Sequence, residues 1–141
     1  MSAVPSASEW PVLCKCLSAE VPFQLLTLLE VDWELELVRR LYSSDEQHYP
    51  SGGVKRLMDT EWGRWVLRDG RVLRADGPLE MKAAFADHEL LLSLGLTHAL
   101  NVPVLRFGRV AWTVNLLRGG PSFSDAAVLR VQRLLEARER A

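Results

Sequence analysis

Hydrophobic and polar positions change their period several times along the chain, and the first changes predict a helix followed by two strands. Residues 9–19 are typical of a short helix with Ser8 as its N-cap. After Pro22 the runs FQLLTLLEV and ELELVRRLY predict two antiparallel strands joined near Asp32 and Trp33, the first more deeply buried than the second. The turn formers in DEQHYPSGGV then predict an exposed loop.

Capping and stop signals predict the next helix, in MDTEWGRWVLRDG. Asp59 or Thr60 is expected to cap it, Glu61 favours the positive end of the helix dipole, and Gly70 ends it. Helical spacing places four residues on one face that we expect to pack inward: Trp62, Trp65, Val66 and Asp69.

Shorter elements and a long final helix complete the pattern. RVLRAD predicts a strand, and GPLEMKAAFADHELLLSLG predicts two short helices separated near Ala86, the second capped by Asp87 and ended by Gly95. Ser124 is expected to cap the last helix, in PSFSDAAVLRVQRLLEARERA. Its inward stripe consists of Ala127, Val131, Leu134 and Leu135.

Residues 99–120, ALNVPVLRFGRVAWTVNLLRGG, predict two apolar strands joined by a Phe-Gly turn. Three polar residues interrupt them: Asn101, Thr113 and Asn115. If the turn has two or four residues and the strands are regular, Asn101 shares a face with Trp112 while the other two point the opposite way. A loop of odd length or a bulge would bring all three to one face. They then either line a binding site or bond to their neighbours, because an unsatisfied buried polar group costs about 1–3 kcal/mol.

This order of elements predicts an α+β fold with a central antiparallel sheet of five to six strands and helices at both chain ends. We expect residues 1–7 to form a flexible tail and residues 8–141 to form one domain, which suits a chain of 141 residues.

Charge and composition exclude several classes of partner. Acidic and basic residues nearly cancel, with a formal net charge of −1, so we expect no nucleic acid and no anionic membrane surface as a partner. No apolar stretch is long enough to span a bilayer, and the N-terminus is unlike a signal peptide, so a cytoplasmic location is expected. Cys14 and Cys16 are expected to be reduced rather than a redox pair.

The candidate chemistry points to binding rather than catalysis. The three histidines, at positions 48, 88 and 98, lie in different elements and no cysteine joins them, so no metal site is expected. The carboxylates of Glu34 and Glu36 share a strand face that is expected to be solvated, so no catalytic residue is expected. His88 is either a hydrogen-bonding group in a pocket or a residue in the first turn of a helix. Trp62 and Trp65 either stack on a planar ligand or belong to the core.

Four stretches carry a resemblance to a known family. They are LLTLLEVD, RRLYSSD followed by YPSGG, DTEWGRWVLRDGRVLRAD, and AAFADHELLLSLGLTHALNVPV continuing to GRVAWTVNLL. Together they span residues 24–118, about two-thirds of the chain, and resemble the GAF domain family of small-molecule-sensing modules in signalling proteins.

The resemblance implies an architecture and a place for a ligand. Helices at the two chain ends would cover one face of the sheet and form a bundle in a homodimer. Middle helices and loops would cover a ligand pocket on the other face, as in GAF and PAS domains. Known ligands of the family include cyclic nucleotides, bilins, haem and small metabolites, and the resemblance selects no cofactor among them.

Departures from the family pattern narrow the choice of ligand and activity. The Asn-Lys-Phe-Asp-Glu constellation of cyclic-nucleotide-binding members is not apparent. Both cysteines precede the sheet, which counts against a bilin carrier and against the branch that reduces free methionine sulfoxide with cysteines in the pocket region. Trp112 stands where related sequences usually carry Gly in the last strand, and its ring could fill the pocket.

We therefore expect a standalone, non-enzymatic sensor domain that dimerises through its terminal helices and binds a small metabolite. The expected ligand-binding residues are Tyr42, Trp62, His88, Asn101, Thr113 and Asn115. One alternative is a degenerate module for dimerisation or protein interaction, with its pocket filled by Trp112 and neighbours. A methionine-sulfoxide-reductase-like enzyme is the third possibility.

Overall fold

A computed structural model describes residues 4–57 and 60–140, which fold around a six-stranded antiparallel sheet of strand order β3-β2-β1-β6-β5-β4. The elements are α1 (Trp10–Glu20), β1 (Leu25–Asp32), β2 (Leu37–Ser43), β3 (Val54–Arg56), a π-helix (Gly63–Arg68), β4 (Leu73–Asp76), α2 (Pro78–Ala84), α3 (His88–Ser93), β5 (His98–Arg106), β6 (Arg109–Arg118) and α4 (Asp125–Arg140). The predicted α+β class and the five-to-six-stranded antiparallel sheet are confirmed.

The sheet separates two layers. α1 and α4 pack on what we call the helix face, where Leu17 and Val131 join the buried strand residues Leu28, Val102 and Val114 in one core. The π-helix, α2, α3 and the loop of residues 44–53 cover the opposite face, which we call the loop face. Along each central strand, successive side chains alternate between the two layers.

The hairpin of β5 and β6 combines an even turn with a bulge. Arg106 pairs with Arg109, so the turn has two residues, and positive φ angles of 52° at Phe107 and 77° at Gly108 make it type I′. The pairing then shifts by one residue, because Leu105 faces Val110 whereas Val104 faces Trp112. Ala111 is therefore an extra residue in β6, and beyond it the side chains of β6 exchange faces.

A second bulge lies between β1 and β2. Leu28 pairs with Tyr42, but the next residue, Leu29, pairs with Arg40, so Leu41 is the extra residue. Without it, Tyr42 and Arg40 would share a face of the sheet. With it, Tyr42 joins Leu28 on the helix face and Arg40 joins Leu29 on the loop face.

Two elements of the middle region differ from the predictions. The predicted α-helix is mostly a π-helix, whose wider turn buries Trp62, Val66 and Leu67 but leaves Trp65 41% exposed. The prediction that Trp65 and Asp69 face inward is wrong. The loop predicted at 45–54 ends in the short edge strand β3, which pairs with β2.

Helix caps are confirmed in part. Thr60 Oγ1 accepts a hydrogen bond from the Gly63 N–H at 3.1 Å, and Ser124 Oγ accepts one from the Ala127 N–H at 3.1 Å. Asp59, the alternative cap, lies outside the described residues. The cap predicted at Ser8 is wrong, because α1 begins one residue later with Glu9 at the N-cap position and no side-chain cap. None of the helices in the described part of the chain is long and apolar enough to cross a membrane.

The type I′ turn predicts a stabilising substitution at Phe107. The Phe107 side chain is 91% exposed, and its left-handed backbone is disfavoured for Phe but common for Asn. Phe107→Asn is expected to raise the free energy of unfolding by about 0.5–1 kcal/mol in urea denaturation. Phe107→Val, with a β-branched side chain at the same backbone angle, is the control and should lower it. A loss of stability in Phe107→Asn would contradict the assigned turn.

Candidate functional site

A ladder of polar side chains crosses the loop face at the centre of the sheet. The Ala111 bulge places Asn101 directly opposite Asn115, and Asn115 is in turn opposite Thr27 of β1. Asn115 Nδ2 donates to Thr27 Oγ1 at 3.1 Å, and Thr113 Oγ1 donates to Asn115 Oδ1 at 3.2 Å. All four side chains are at most 5% exposed, so each hydrogen bond offsets a desolvation cost.

Trp62, which directly precedes the π-helix, adds its indole N–H to these polar side chains. Trp62 Nε1 donates a hydrogen bond to Asn101 Oδ1, and the indole is 4% exposed. The Trp62 ring is held in place by the turn capped by Thr60. The polar cluster is thus formed by side chains from three strands and the start of one helix: Thr27, Trp62, Asn101, Thr113 and Asn115.

A charged group lies beside the polar cluster. The Tyr49 hydroxyl donates to Asp87 Oδ2, and the guanidinium carbon of Arg40 lies 3.9 Å from the centre of the Tyr49 ring. Arg40 Nη2 is 4.0 Å from the same carboxylate, and Arg40 Nη1 donates to the Pro50 carbonyl at 2.7 Å. Burial, reinforced by the negative charge of Asp87, holds the pKa of Tyr49 far above its ordinary range, so the phenol remains a donor.

Lys55 adds a second cation on the same face. It pairs with Val38 in the β2–β3 register, and Val38 belongs to the loop-face core. Its ammonium lies 5.4 Å from the centre of the Trp62 ring. Burial holds the pKa of the Lys55 amine below its ordinary value, while the Asp87 carboxylate opposes that shift.

These groups surround a small cavity of about 20 Å³. Its wall includes Thr27, Arg40, Lys55, Asn101 and Asn115, with apolar parts from α3 and β1. This volume holds about one water-sized group. A larger open cleft of about 500 Å³ lies between the π-helix and α2, and the Trp62 ring is common to both walls. Exposed Glu61, Arg64 and Arg68 line that cleft, whereas the buried polar cluster lines the small cavity.

The structure brings together some of the residues predicted to bind a ligand. Trp62, Asn101 and Asn115 line the cavity, and Thr113 bonds to Asn115 within the same cluster. All three polar residues of the hairpin therefore converge on one face, the outcome expected for a bulge.

Two other predicted residues lie elsewhere. Tyr42 points to the helix face because of the Leu41 bulge, and its ring lies 5.9 Å from that of Trp10 on α1. His88 is outside the cavity wall, in the first turn of α3, and its Nδ1 lies 2.8 Å from the Phe85 carbonyl oxygen. The placement of Tyr42 and His88 in the cavity is wrong.

Trp112 does not fill the cavity. Its side chain is fully buried on the helix face, in the core formed with α1 and α4. The Ala111 bulge sets this orientation, because Thr113 is the next residue to face the loop layer. The expectation that the Trp112 ring blocks the pocket is therefore wrong.

Several residues of the site were missed in the sequence. Asp87 was predicted to cap α3, but its side chain makes no cap hydrogen bond and instead accepts from Tyr49. Arg40 and Lys55 were missed because charged residues in half-buried strands ordinarily face solvent. The available signal was Arg40 itself, a cation next to an apolar run in a half-buried strand.

Comparisons with known proteins support the fold. The sequence matches no family model and no curated protein. A GAF domain of a two-component sensor histidine kinase from Bacillus halodurans is similar in structure, with a TM-score of 0.77 over 94% of this chain and 90% of that chain at 12% identity. The chain has the fold of a GAF domain.

Two further solved structures are similar to this chain. A GAF domain/HD domain protein from Geobacter sulfurreducens matches with a TM-score of 0.77 at 18% identity, covering 92% of this chain and 86% of that one. The NreA protein of Staphylococcus aureus, mutated in its nitrate binding site, matches with a TM-score of 0.63 at 18% identity, covering 89% and 99%. Within residues 4–57 and 60–140, the structure contains no group of three or more metal-ligating side chains.

The Tyr49 hydroxyl is expected to contribute to stability through Asp87. Asp87 Oδ1 is already buried without a partner, so Tyr49→Phe would leave the whole carboxylate poorly satisfied. We expect a loss of about 1–3 kcal/mol in urea denaturation. Tyr42→Phe removes the same hydroxyl on the helix face and is the matched control, with a change of about 0.5 kcal/mol or less. Equal losses in both variants would contradict the role of Asp87.

Proposed function

We propose that this protein is a small-molecule-sensing regulatory domain, formed by residues 8–141, whose ligand binds on the loop face between the polar cluster and α3. The observation that carries the proposal is the polar cluster itself. It spans three central strands at a depth where a fold of this size usually packs apolar side chains. The solved neighbours support the proposal, since one is a GAF domain of a sensor kinase and another, the NreA protein, has a nitrate binding site.

A ligand would act by favouring one arrangement of the loop layer over another. The cavity is small, so binding anything larger than about one water requires α3, β3 or the Trp62 ring to move outward. The energy for that movement comes from the difference in affinity between the two arrangements. Such a displacement is the kind of change that a partner protein can recognise.

Binding is favoured over a cysteine-dependent reaction. Cys14 and Cys16 are free and lie on α1, on the other side of the sheet from the cavity. Burial raises the pKa of the Cys14 thiol, which makes it a weaker nucleophile at neutral pH. Two free cysteines also suit a reducing compartment such as the cytoplasm.

A thermal-shift screen of small metabolites tests this proposal. A true ligand should raise the unfolding midpoint, with a stabilisation of about 2.7 kcal/mol at a concentration about 100 times its Kd. Asn115→Leu should abolish the shift, whereas Gln132→Leu, an amide change in α4 on the helix face, should keep it. A screen without hits, or hits that Asn115→Leu leaves unchanged, would count against a site at the polar cluster.

We also propose that the domain forms a homodimer through α1 and α4. An open groove of about 560 Å³ runs between these helices and includes Val12, Cys16, Ala19 and Leu134 in its wall. The Val12 side chain is 63% exposed there. A second copy packing on this groove would remove that apolar surface from water.

Sedimentation velocity tests the dimer. The wild-type protein is expected to sediment as a dimer, and Val12→Asp as a monomer, because a carboxylate in the interface would lose its hydration. Val54→Asp is the matched control, since Val54 is 54% exposed on the edge strand β3, away from the groove. A wild-type monomer, or a Val12→Asp dimer, would show that this groove is not the interface.

A further inference from the structure

The cavity on the loop face carries an excess of positive charge. Arg40 and Lys55 line it, and the half-buried carboxylate of Asp87 lies nearby, shared by Arg40 and the Tyr49 hydroxyl. Glu46 also lies within electrostatic reach of Arg40, but it is exposed and its Oε1 accepts hydrogen bonds from Ser51. One positive charge therefore remains uncompensated beside the cavity, where Arg40 is largely buried and Lys55 half-buried, and an anion that balanced it would lower the cost of that burial.

The unpaired hydrogen-bonding groups at the cavity also favour an anion. The acceptors of the polar cluster are already used: Asn101 Oδ1 by Trp62, Asn115 Oδ1 by Thr113, and Thr27 Oγ1 by Asn115. Among the residues that line the cavity, the groups left over are donors; the unpaired acceptor Asp87 Oδ1 belongs to a residue outside the wall. Arg40 Nε is buried without a partner, and in the described part of the chain neither Lys55 Nζ nor Asn101 Nδ2 has an acceptor.

Size restricts the ligand further. A cavity of about 20 Å³ accommodates a group close to one water in size, so only a few heavy atoms fit after a modest outward shift of the wall. A single uncompensated charge matches a monovalent ion better than a divalent one. The ligand needs acceptor atoms in several directions, because the free donors come from β2, β3 and β5.

We propose that this cavity binds a small monovalent oxoanion, such as nitrate, nitrite, formate or bicarbonate, between Arg40, Lys55 and Asn101. The inference rests on the proposed small-molecule site and assigns its ligand class. The negative charge balances the extra cation, and the oxygens accept from the donors that the protein leaves unpaired. Because the ligand has so few atoms, its affinity is limited to the upper micromolar or millimolar range.

Isothermal titration calorimetry with sodium nitrate tests the assignment, using sodium chloride at the same ionic strength to remove general salt effects. The wild-type protein should show saturable 1:1 binding. Lys55→Met should weaken it by about tenfold or more, because an unbranched apolar chain replaces the ammonium. Lys15→Met, the same change at an exposed position on α1, should bind nitrate within about twofold of wild type. Sulfate should bind about tenfold more weakly than nitrate or not at all.

An NMR titration of the unmodified protein locates the ion without any substitution. Adding nitrate should shift the Trp62 indole N–H and Arg40 Nε–H resonances with the same saturation curve as the calorimetry, and leave the Trp10 indole N–H unchanged. Saturable binding that Lys55→Met leaves intact, shifts at Trp10 instead of Trp62, or sulfate binding as tight as nitrate would each overturn the assignment.

The outcome also separates this inference from the proposed function. Nitrite, formate and bicarbonate are titrated in the same way as nitrate. If none of the four oxoanions binds while an uncharged metabolite stabilises the protein through Asn115, the ligand class is wrong and the sensing site stands. If neither oxoanions nor metabolites bind, both proposals are wrong.

Discussion

One extra residue in each of two strands determines what each side of the sheet contains. Ala111 in β6 puts Trp112 among the terminal helices and turns Thr113 and Asn115 towards the opposite layer. Leu41 does the same in β2 for Tyr42 and Arg40. Because side chains alternate with a period of two, a single unpaired residue reverses every position after it. The apolar core on one face and the polar cavity on the other both depend on these two bulges.

The fold tolerates a polar cavity at its centre because the polar side chains there form hydrogen bonds mainly with one another. Thr27, Thr113 and Asn115 form a chain of hydrogen bonds across β1 and β6. The Trp62 indole, which packs on the loop face of the sheet, donates a hydrogen bond to Asn101 Oδ1. Buried polar groups that are partnered in this way cost little, whereas unpartnered ones destabilise the fold. Arg40 Nε is an exception, because it is buried without a partner. A group of this kind calls for an explanation, and the proposed anion supplies one.

Local patterns predicted the elements well and the site only in part. Alternation and turn residues placed β1, β2, β4, β5 and β6, and the Phe-Gly pair located the turn between the last two strands but not its length. The bulge at Ala111 was one of two open alternatives, because bulges depend on which register buries the larger core and not on the strand alone. Tyr42 was misplaced for that reason. Asp87 has a strong local preference for helix caps, which its long-range bond with Tyr49 overrides.

The edge position of β3 has a consequence for how the cavity exchanges its contents. This strand has three residues, pairs only with β2, and carries Lys55 at its centre. Short edge segments open locally at a free energy well below that of global unfolding. Lys55, whose ammonium group would attract an anion, thus lies on the segment of the cavity wall that opens most easily. A bound ion can then enter and leave when β3 briefly separates from β2, while the central strands stay paired. Fast release of the ion therefore does not require a less stable fold.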